Sequence, residues 1–288
     1  MATDKLTETA RQKYFGGEQC NYSHWSEELK CEMNLAVYFP PSYSSTSDPF
    51  PVLYFLSGLT CTHENFTIKS GMQRLAAKHG LVVVSPDTSP RGSNHPGEHE
   101  DWDFGSGAGF YLDATNEPWN SNYRMYSYVT KELLGVVSKN FNVSEEKRAL
   151  SGHSMGGHGS LVIFLKNPGM FRCATALAPI SNPSQGKWGV KAFTNYLGTD
   201  QSLWSQWDAT ELVKQFSAQG EPAKIMVCQG DKDKFLKEEL LTQNFIDAAR
   251  DNPGLDVEYR VREGYDHFYP YIATFLEEHF EFLAKFIC

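Results

Sequence analysis

Leu150-Ser151-Gly152-His153-Ser154-Met155-Gly156-Gly157-His158-Gly159 is the stretch on which the fold of this chain turns. The run before it, Arg148-Ala149-Leu150-Ser151, predicts a short buried strand. The run from Ser160 to Lys166 predicts an apolar helix that stops before Pro168. Between them lies Gly-x-Ser-x-Gly. A strand that turns sharply into a helix needs residues without a Cβ where the backbone crowds, and Gly152 and Gly156 supply them. Such a turn lifts Ser154 to the top of a sheet and the start of a helix, where backbone N–H groups face incoming negative charge. The same motif also occurs in plain turns. Ser154 as a nucleophile therefore requires a base, an acid and an oxyanion hole elsewhere in the chain.

Outward from this turn, strands and helices alternate. Phe15 to Ser26 and Cys31 to Phe39 predict antiparallel strands, the second alternating through Met33, Leu35, Val37 and Phe39. Val52 to Leu56 and Leu81 to Ser85 are continuous apolar runs, as expected of strands buried on both faces of a parallel sheet. Further strands are predicted at Ala174 to Ala178, Ala223 to Cys228 and Val257 to Val261. Helices are predicted over residues 66 to 79, Tyr123 to Asn140, Leu236 to Arg250 and Ala273 to Phe286, with a helical excursion over 181 to 215. Residues 87 to 122 predict a long loop, and its aromatics Trp102, Phe104, Phe110, Tyr111 and Trp119 argue against disorder. The pattern is α/β: a mostly parallel sheet with helices on both faces and an antiparallel start. With no repeat or linker, residues 1 to 288 predict one domain.

A chain of 288 residues buries about 75% of its unfolded surface. The net charge of −9 argues against a nucleic-acid partner and disfavours anionic ligands at long range. No apolar run approaches the ~20 residues of a membrane span, and Met1 to Lys13 lacks the apolar centre of a signal peptide. The six cysteines form no Cys-x-x-Cys pair and suggest reduced thiols in the cytoplasm. His95-Pro96-Gly97-Glu98-His99 lacks a third ligand at a familiar spacing, so no metal and no other cofactor is expected.

Ligands of such sheets bind beyond the carboxyl ends of the strands. After one late strand comes Gln229-Gly230-Asp231-Lys232-Asp233-Lys234-Phe235; after the next comes Arg262-Glu263-Gly264-Tyr265-Asp266-His267-Phe268. The order Ser, Asp, His is that of α/β hydrolases. His267 is the histidine in a loop after a late strand. His279 falls in the last helix, and His153 and His158 flank the serine. Asp231 and Asp233 are both candidates for the acid, with Asp266 a weaker third. Ser57-Gly58-Leu59-Thr60-Cys61 follows an early strand. Its Leu59 N–H, with that of Met155, is the candidate oxyanion hole.

Ser57 to Thr62, Trp102 to Tyr111, Gly152 to Gly159, Trp188-Gly189 with Lys191-Ala192-Phe193, and Gly264 to His267 together resemble the S-formylglutathione hydrolase (esterase D) family, in order and over nearly the whole chain. The resemblance implies an α/β-hydrolase fold and a cytosolic homodimer that hydrolyses S-formylglutathione to glutathione and formate. Its Gly-x-x-Asp-x-Phe loop selects Asp233 as the acid. It implies Gly58, Cys61, Trp102, Trp188 and Lys191 around the substrate, with Lys69 and Lys187 nearby as further cations. Phe268 and Pro270 depart from its pattern at the pocket wall. The runner-up activity is a short-chain carboxylesterase acting on acetyl esters; the alternative class is a non-catalytic binding protein on a hydrolase scaffold.

Overall fold

A computed structural model describes residues 5–288. A single nine-stranded sheet runs through them in the order β1-β2-β3-β5-β4-β6-β7-β8-β9. The strands are β1 (Thr7–Tyr14), β2 (Gly17–Ser26), β3 (Cys31–Phe39), β4 (Phe50–Leu56), β5 (Val82–Pro86), β6 (Val143–His153), β7 (Cys173–Leu177), β8 (Ala223–Gly230) and β9 (Leu255–Arg262). From β1 to β5 the pairs are antiparallel; from β5 to β9 all are parallel. β5 and all but one residue of β4 are buried, as continuous apolar runs covered on both faces must be.

The helices are α1 (Glu64–Lys69), α2 (Met72–His79), α3 (Met125–Ser127), α4 (Leu134–Asn140), α5 (Met155–Lys166), α6 (Lys187–Leu197), α7 (Ala209–Gln215), α8 (Thr242–Ala249) and α9 (Tyr269–Ile287). α9 touches α2 and packs on β6 and β7 from one face, while α5 packs on the same strands from the other. Every residue of α5 except Lys166 is buried, which is why the helix is apolar all round.

The structure departs from the sequence expectations at several places. A strand, β1, precedes the expected first strand; all eight of its residues are exposed, so no buried stripe marked it. The helix expected over 66 to 79 begins at Glu64 and breaks where Gly71 takes φ 70°. The helix expected from Leu236 to Arg250 is a π turn, Leu236–Leu240, and then α8, with Leu241 at φ 50° between them. A π turn, Tyr128–Leu133, likewise joins α3 to α4. β4 runs through Pro51 and not from it, because the pairing with β6 is irregular there and no ladder donor is missed.

One carboxylate ties the β2–β3 turn to this helical stretch. Glu132 accepts from Ser26 Oγ (2.6 Å), Glu27 N (2.7 Å) and Glu28 N (3.1 Å). Glu132→Ala leaves those donors without their acceptor and should lower the free energy of unfolding by about 1–3 kcal/mol. Urea denaturation checks this, and Glu132→Gln, which keeps an accepting oxygen, should recover part of the loss.

Candidate active site

The parallel strands end level with one another. Leu56 of β4 lies opposite Gly152 of β6, Gly152 opposite Ala176 of β7, Leu177 opposite Cys228 of β8, and Gly230 opposite Arg262 of β9. The loops that follow β4, β6, β8 and β9 therefore meet along one edge. Between β6 and α5, Ser154 takes φ 59° and ψ −119°, a conformation L side chains rarely adopt and one that costs about 1–3 kcal/mol. Its N–H donates to Leu177 O (3.0 Å), and its carbonyl accepts from Ile180 N (3.1 Å). A Cβ on Gly152 would run into Gly156 O, and one on Gly156 into Leu56 O. The two glycines of the motif are thus the points where the turn passes itself and the neighbouring strand.

His267 joins the other two predicted residues. Its Nε2 lies 2.9 Å from Ser154 Oγ and its Nδ1 lies 2.6 Å from Asp233 Oδ2. An ionised carboxylate only accepts, so Nδ1 carries the proton and Nε2 is free to accept the serine hydroxyl's proton. Ser154, Asp233 and His267 are all buried. Asp233 Oδ1 also accepts from Phe235 N (2.9 Å), and Oδ2 accepts from Gln229 Nε2 (3.1 Å). Gln229 Oε1 in turn accepts from Thr242 Oγ1 (2.8 Å). Sequence reasoning missed Gln229 and Thr242; neither lies in a motif, and only the fold places them behind the acid.

The other candidate acids have different partners. Asp231 accepts from Gly264 N (2.7 Å) and pairs with Lys232, which staples the acid loop to the histidine loop. Asp266 accepts from Phe268 N (3.0 Å) at the head of α9. The flanking histidines are structural. His153 Nε2 meets His267 O (2.8 Å), and burial, with His267 beside it, holds its pKa well below the ordinary 6.5. His158 Nε2 meets Phe110 O (3.0 Å), and burial lowers its pKa to about 4. Buried His279 falls to about 3, again through desolvation, helped by Arg260 and Arg262.

A groove of about 240 Å³ opens onto Ser154 and His267. Gly58, Leu59, Cys61, Trp102 and Trp188 line it, and so do Lys69, Phe235, Phe268 and Tyr269. Trp102 meets Trp188 edge-on at 5.2 Å, and Trp188 packs on Phe235 at 4.7 Å, so the wall is aromatic. The departure at Phe268 belongs to this wall; Pro270 sits in the first turn of α9. A Cβ on Gly58 would stand 3.0 Å from Ser154 Cβ, which sets the Leu59 loop directly against the serine. Neither Leu59 N nor Met155 N, the first amide of α5, meets an acceptor among the described residues. A larger hollow of about 620 Å³, lined by Phe216 and Asn252 among others, lies at the opposite ends of β8 and β9, far from these groups.

Lys191 stands apart from the other expected residues. It does not line the groove, because its Nζ is held by Asp101 Oδ2 and Asp103 Oδ1, each at 2.7 Å. Lys187 is likewise taken up by Glu238 at 2.6 Å. Burial raises the Cys61 thiol above its ordinary 9.0, so the neutral form lines the groove. In the His95–His99 stretch, His95 meets Asn122 Oδ1, and buried Glu98 accepts from Tyr123 OH (2.7 Å). Among the described residues no group of three or more His, Cys, Asp or Glu is placed to hold a metal ion.

Comparison with known proteins gives a consistent result. Residues 26–282 match the family model described as "Putative esterase". The chain is 52% identical to the S-formylglutathione hydrolase of Bos taurus over 98% of this chain and 99% of that one. It is 49% identical to the S-formylglutathione hydrolase of Arabidopsis thaliana over 97% of each. Among solved structures, an S-formylglutathione hydrolase from Agrobacterium tumefaciens superposes with a TM-score of 0.92 at 43% identity, covering 98% of this chain and 99% of that one.

Two outcomes follow from the geometry. Asp233→Asn should lower kcat by about 10⁴ through the wrong imidazole tautomer, while Asp231→Asn should stay within a few-fold of the parent; steady-state kinetics on a chromogenic ester separates them. The buried histidines set an acid limit. Folded His153, His158 and His279 stay neutral where the unfolded chain takes up protons around 6.5, so their contribution to stability is level well above pH 6.5 and falls as the pH drops through and below it. Urea unfolding between pH 6.5 and 5 should show a slope approaching that of three protons, about 4 kcal/mol per pH unit.

Proposed function

Because the chain belongs to the S-formylglutathione hydrolase family of esterases, we propose that it hydrolyses S-formylglutathione to glutathione and formate through a formyl-serine intermediate. The observation that supports this reading most directly is the buried line of hydrogen bonds from Asp233 through His267 to Ser154. Ser154 Oγ attacks the thioester carbonyl carbon as its proton passes to His267 Nε2. Asp233, fixed by Phe235 N and Gln229, holds the imidazole's tautomer and stabilises the imidazolium. The carbonyl oxygen becomes an oxyanion between the N–H groups of Leu59 and Met155. One such preorganised donor contributes about 3 kcal/mol of barrier lowering.

Collapse of the tetrahedral intermediate breaks the C–S bond. His267 Nε2 returns its proton to the departing thiolate, and glutathione leaves. Water then enters, loses a proton to His267 and attacks the formyl ester; formic acid departs and Ser154 regains its proton. A serine hydroxyl needs this base because it is a weak nucleophile at neutral pH. The tight wall of Trp188 and Phe235 suits an acyl group as small as formyl.

We read the enzyme as cytosolic, homodimeric and built as one domain. The six free cysteines support a reducing compartment, and the single sheet from Thr7 to Arg262 supports one domain. The homodimer rests on the family resemblance. Among the described residues no helix is long and apolar enough to cross a membrane.

A fluorophosphonate should label the protein at Ser154. Ser154→Ala should abolish both labelling and turnover while keeping the thermal unfolding profile. The parent enzyme should show a higher kcat/KM on S-formylglutathione than on a small aryl acetate; the reverse order would favour a general carboxylesterase, and a labelled but inactive parent would refute the reading.

A further inference from the structure

Glutathione carries two carboxylates and one ammonium, whereas the protein carries a net charge of −9. A ligand of that kind is repelled at long range and needs local cations. One lysine lines the groove, and a second packs on aromatic rings of its wall. Lys69, the last residue of α1, lines it, with Nζ 5.5 Å from the centre of the Tyr269 ring. Lys234, next to Asp233, places its Nζ 4.9 Å from the Phe235 ring centre and 5.7 Å from that of Phe268. Tyr269, Phe235 and Phe268 all line the groove. The two cations therefore stand over aromatic walls of one cleft.

Their neighbours are neutralised and these are not. Lys187 is taken by Glu238, Lys191 by Asp101 and Asp103, and Lys232 by Asp231. No carboxylate among the described residues pairs with Lys69 or Lys234, and an aromatic face steers an ammonium while leaving its N–H donors free. Lys69 is also the one fully charged residue among those lining the groove.

Building on the glutathione-thioester reading above, we propose that Lys69 and Lys234 are the specificity-determining residues of this site, each receiving one carboxylate of the glutathione moiety while the thioester lies over Ser154. The selection acts on the leaving group and not on the acyl group. It sets glutathione thioesters apart from neutral esters of the same acid, for which both lysines are spectators.

The test measures the ratio of kcat/KM for S-formylglutathione to that for a neutral aryl acetate in the parent, Lys69→Met, Lys234→Met and the double variant. Each single change should lower the ratio about 3- to 10-fold, mainly through KM for the thioester, and the double variant about 10- to 100-fold. Lys69→Arg and Lys234→Arg, which keep the charge, should stay near the parent ratio. Rising ionic strength should lower the parent ratio relative to that of the double variant, in which only the long-range repulsion is left to be screened. A double variant with the parent ratio and salt dependence would overturn this assignment alone. A parent that fails to turn over S-formylglutathione would overturn the underlying reading as well, so the two failures are distinct.

Discussion

Ser154 is held in a backbone conformation that its own side chain disfavours, and the rest of the site depends on that constraint. An exposed loop would relax such a residue. Here relaxation is blocked on every side: Leu177 O takes the N–H, Ile180 N and His158 N bind the carbonyl, and the backbones of Gly152, Gly156 and Leu56 are packed too closely for any Cβ. The strain is repaid by the buried apolar helix α5 and the central strands on which it packs. The same contacts point the hydroxyl at His267 and place Met155 N, freed by the helix start, beside it. The direction of the serine hydroxyl and the free Met155 amide are consequences of one turn and cannot be adjusted separately.

Burial around the imidazole serves the same end. His153 lies against His267 with ring centres 4.6 Å apart, yet desolvation keeps it neutral, so it steadies the histidine loop through His267 O without adding a competing charge. On the other side, Phe235 N holds the Asp233 oxygen that the imidazole does not use, while Gln229, itself held by Thr242, donates to the oxygen that meets His267. An acid held through both oxygens has little freedom to swing. A Cβ on Gly230 would strike Tyr265 O, so the acid and histidine loops also press together directly.

Sequence alone made the elbow, the parallel strands and the order of the serine, aspartate and histidine that meet here legible, because each follows from local rules: glycines at a tight turn, apolar runs buried on both faces, polar loops at strand ends. The choice among Asp231, Asp233 and Asp266 was not legible from spacing. It depends on which carboxylate the β8 loop turns toward the imidazole, and it came from family resemblance. The surroundings of Lys191 were not legible for a similar reason. Its motif lies near the site, but two aspartates of the 87–122 stretch hold its charge elsewhere, and such a pairing between distant segments leaves no periodic trace. The edge strand β1 escaped because nothing covers either of its faces. Breaks at Gly71 and Leu241 escaped because the apolar pattern continues across them.

The long stretch 87–122 owes its order to the loop it supports. Buried Glu98 binds Tyr123 OH and the amide of His95, and its own carbonyl accepts from Ser106 N, so the segment folds around a carboxylate and not around a regular element. Two of its residues then reach the loop after β4: Gly107 O accepts from Thr60 N at 2.9 Å, and Tyr111 OH donates to Ser57 O at 2.9 Å. These bonds grip the residues on either side of Gly58-Leu59. A Cβ on Gly107 would stand 3.2 Å from Thr60 Cα, so the backing is tight. Phe110 and Tyr111 both take φ 48°, a departure from ordinary backbone that their complete burial holds in place. The α5 side of the amide pair is positioned by the elbow; the Leu59 side has no helix or strand to position it, and the aromatic-rich segment does that work instead. Its lack of regular structure is the condition for reaching Ser57 and Thr60 at once.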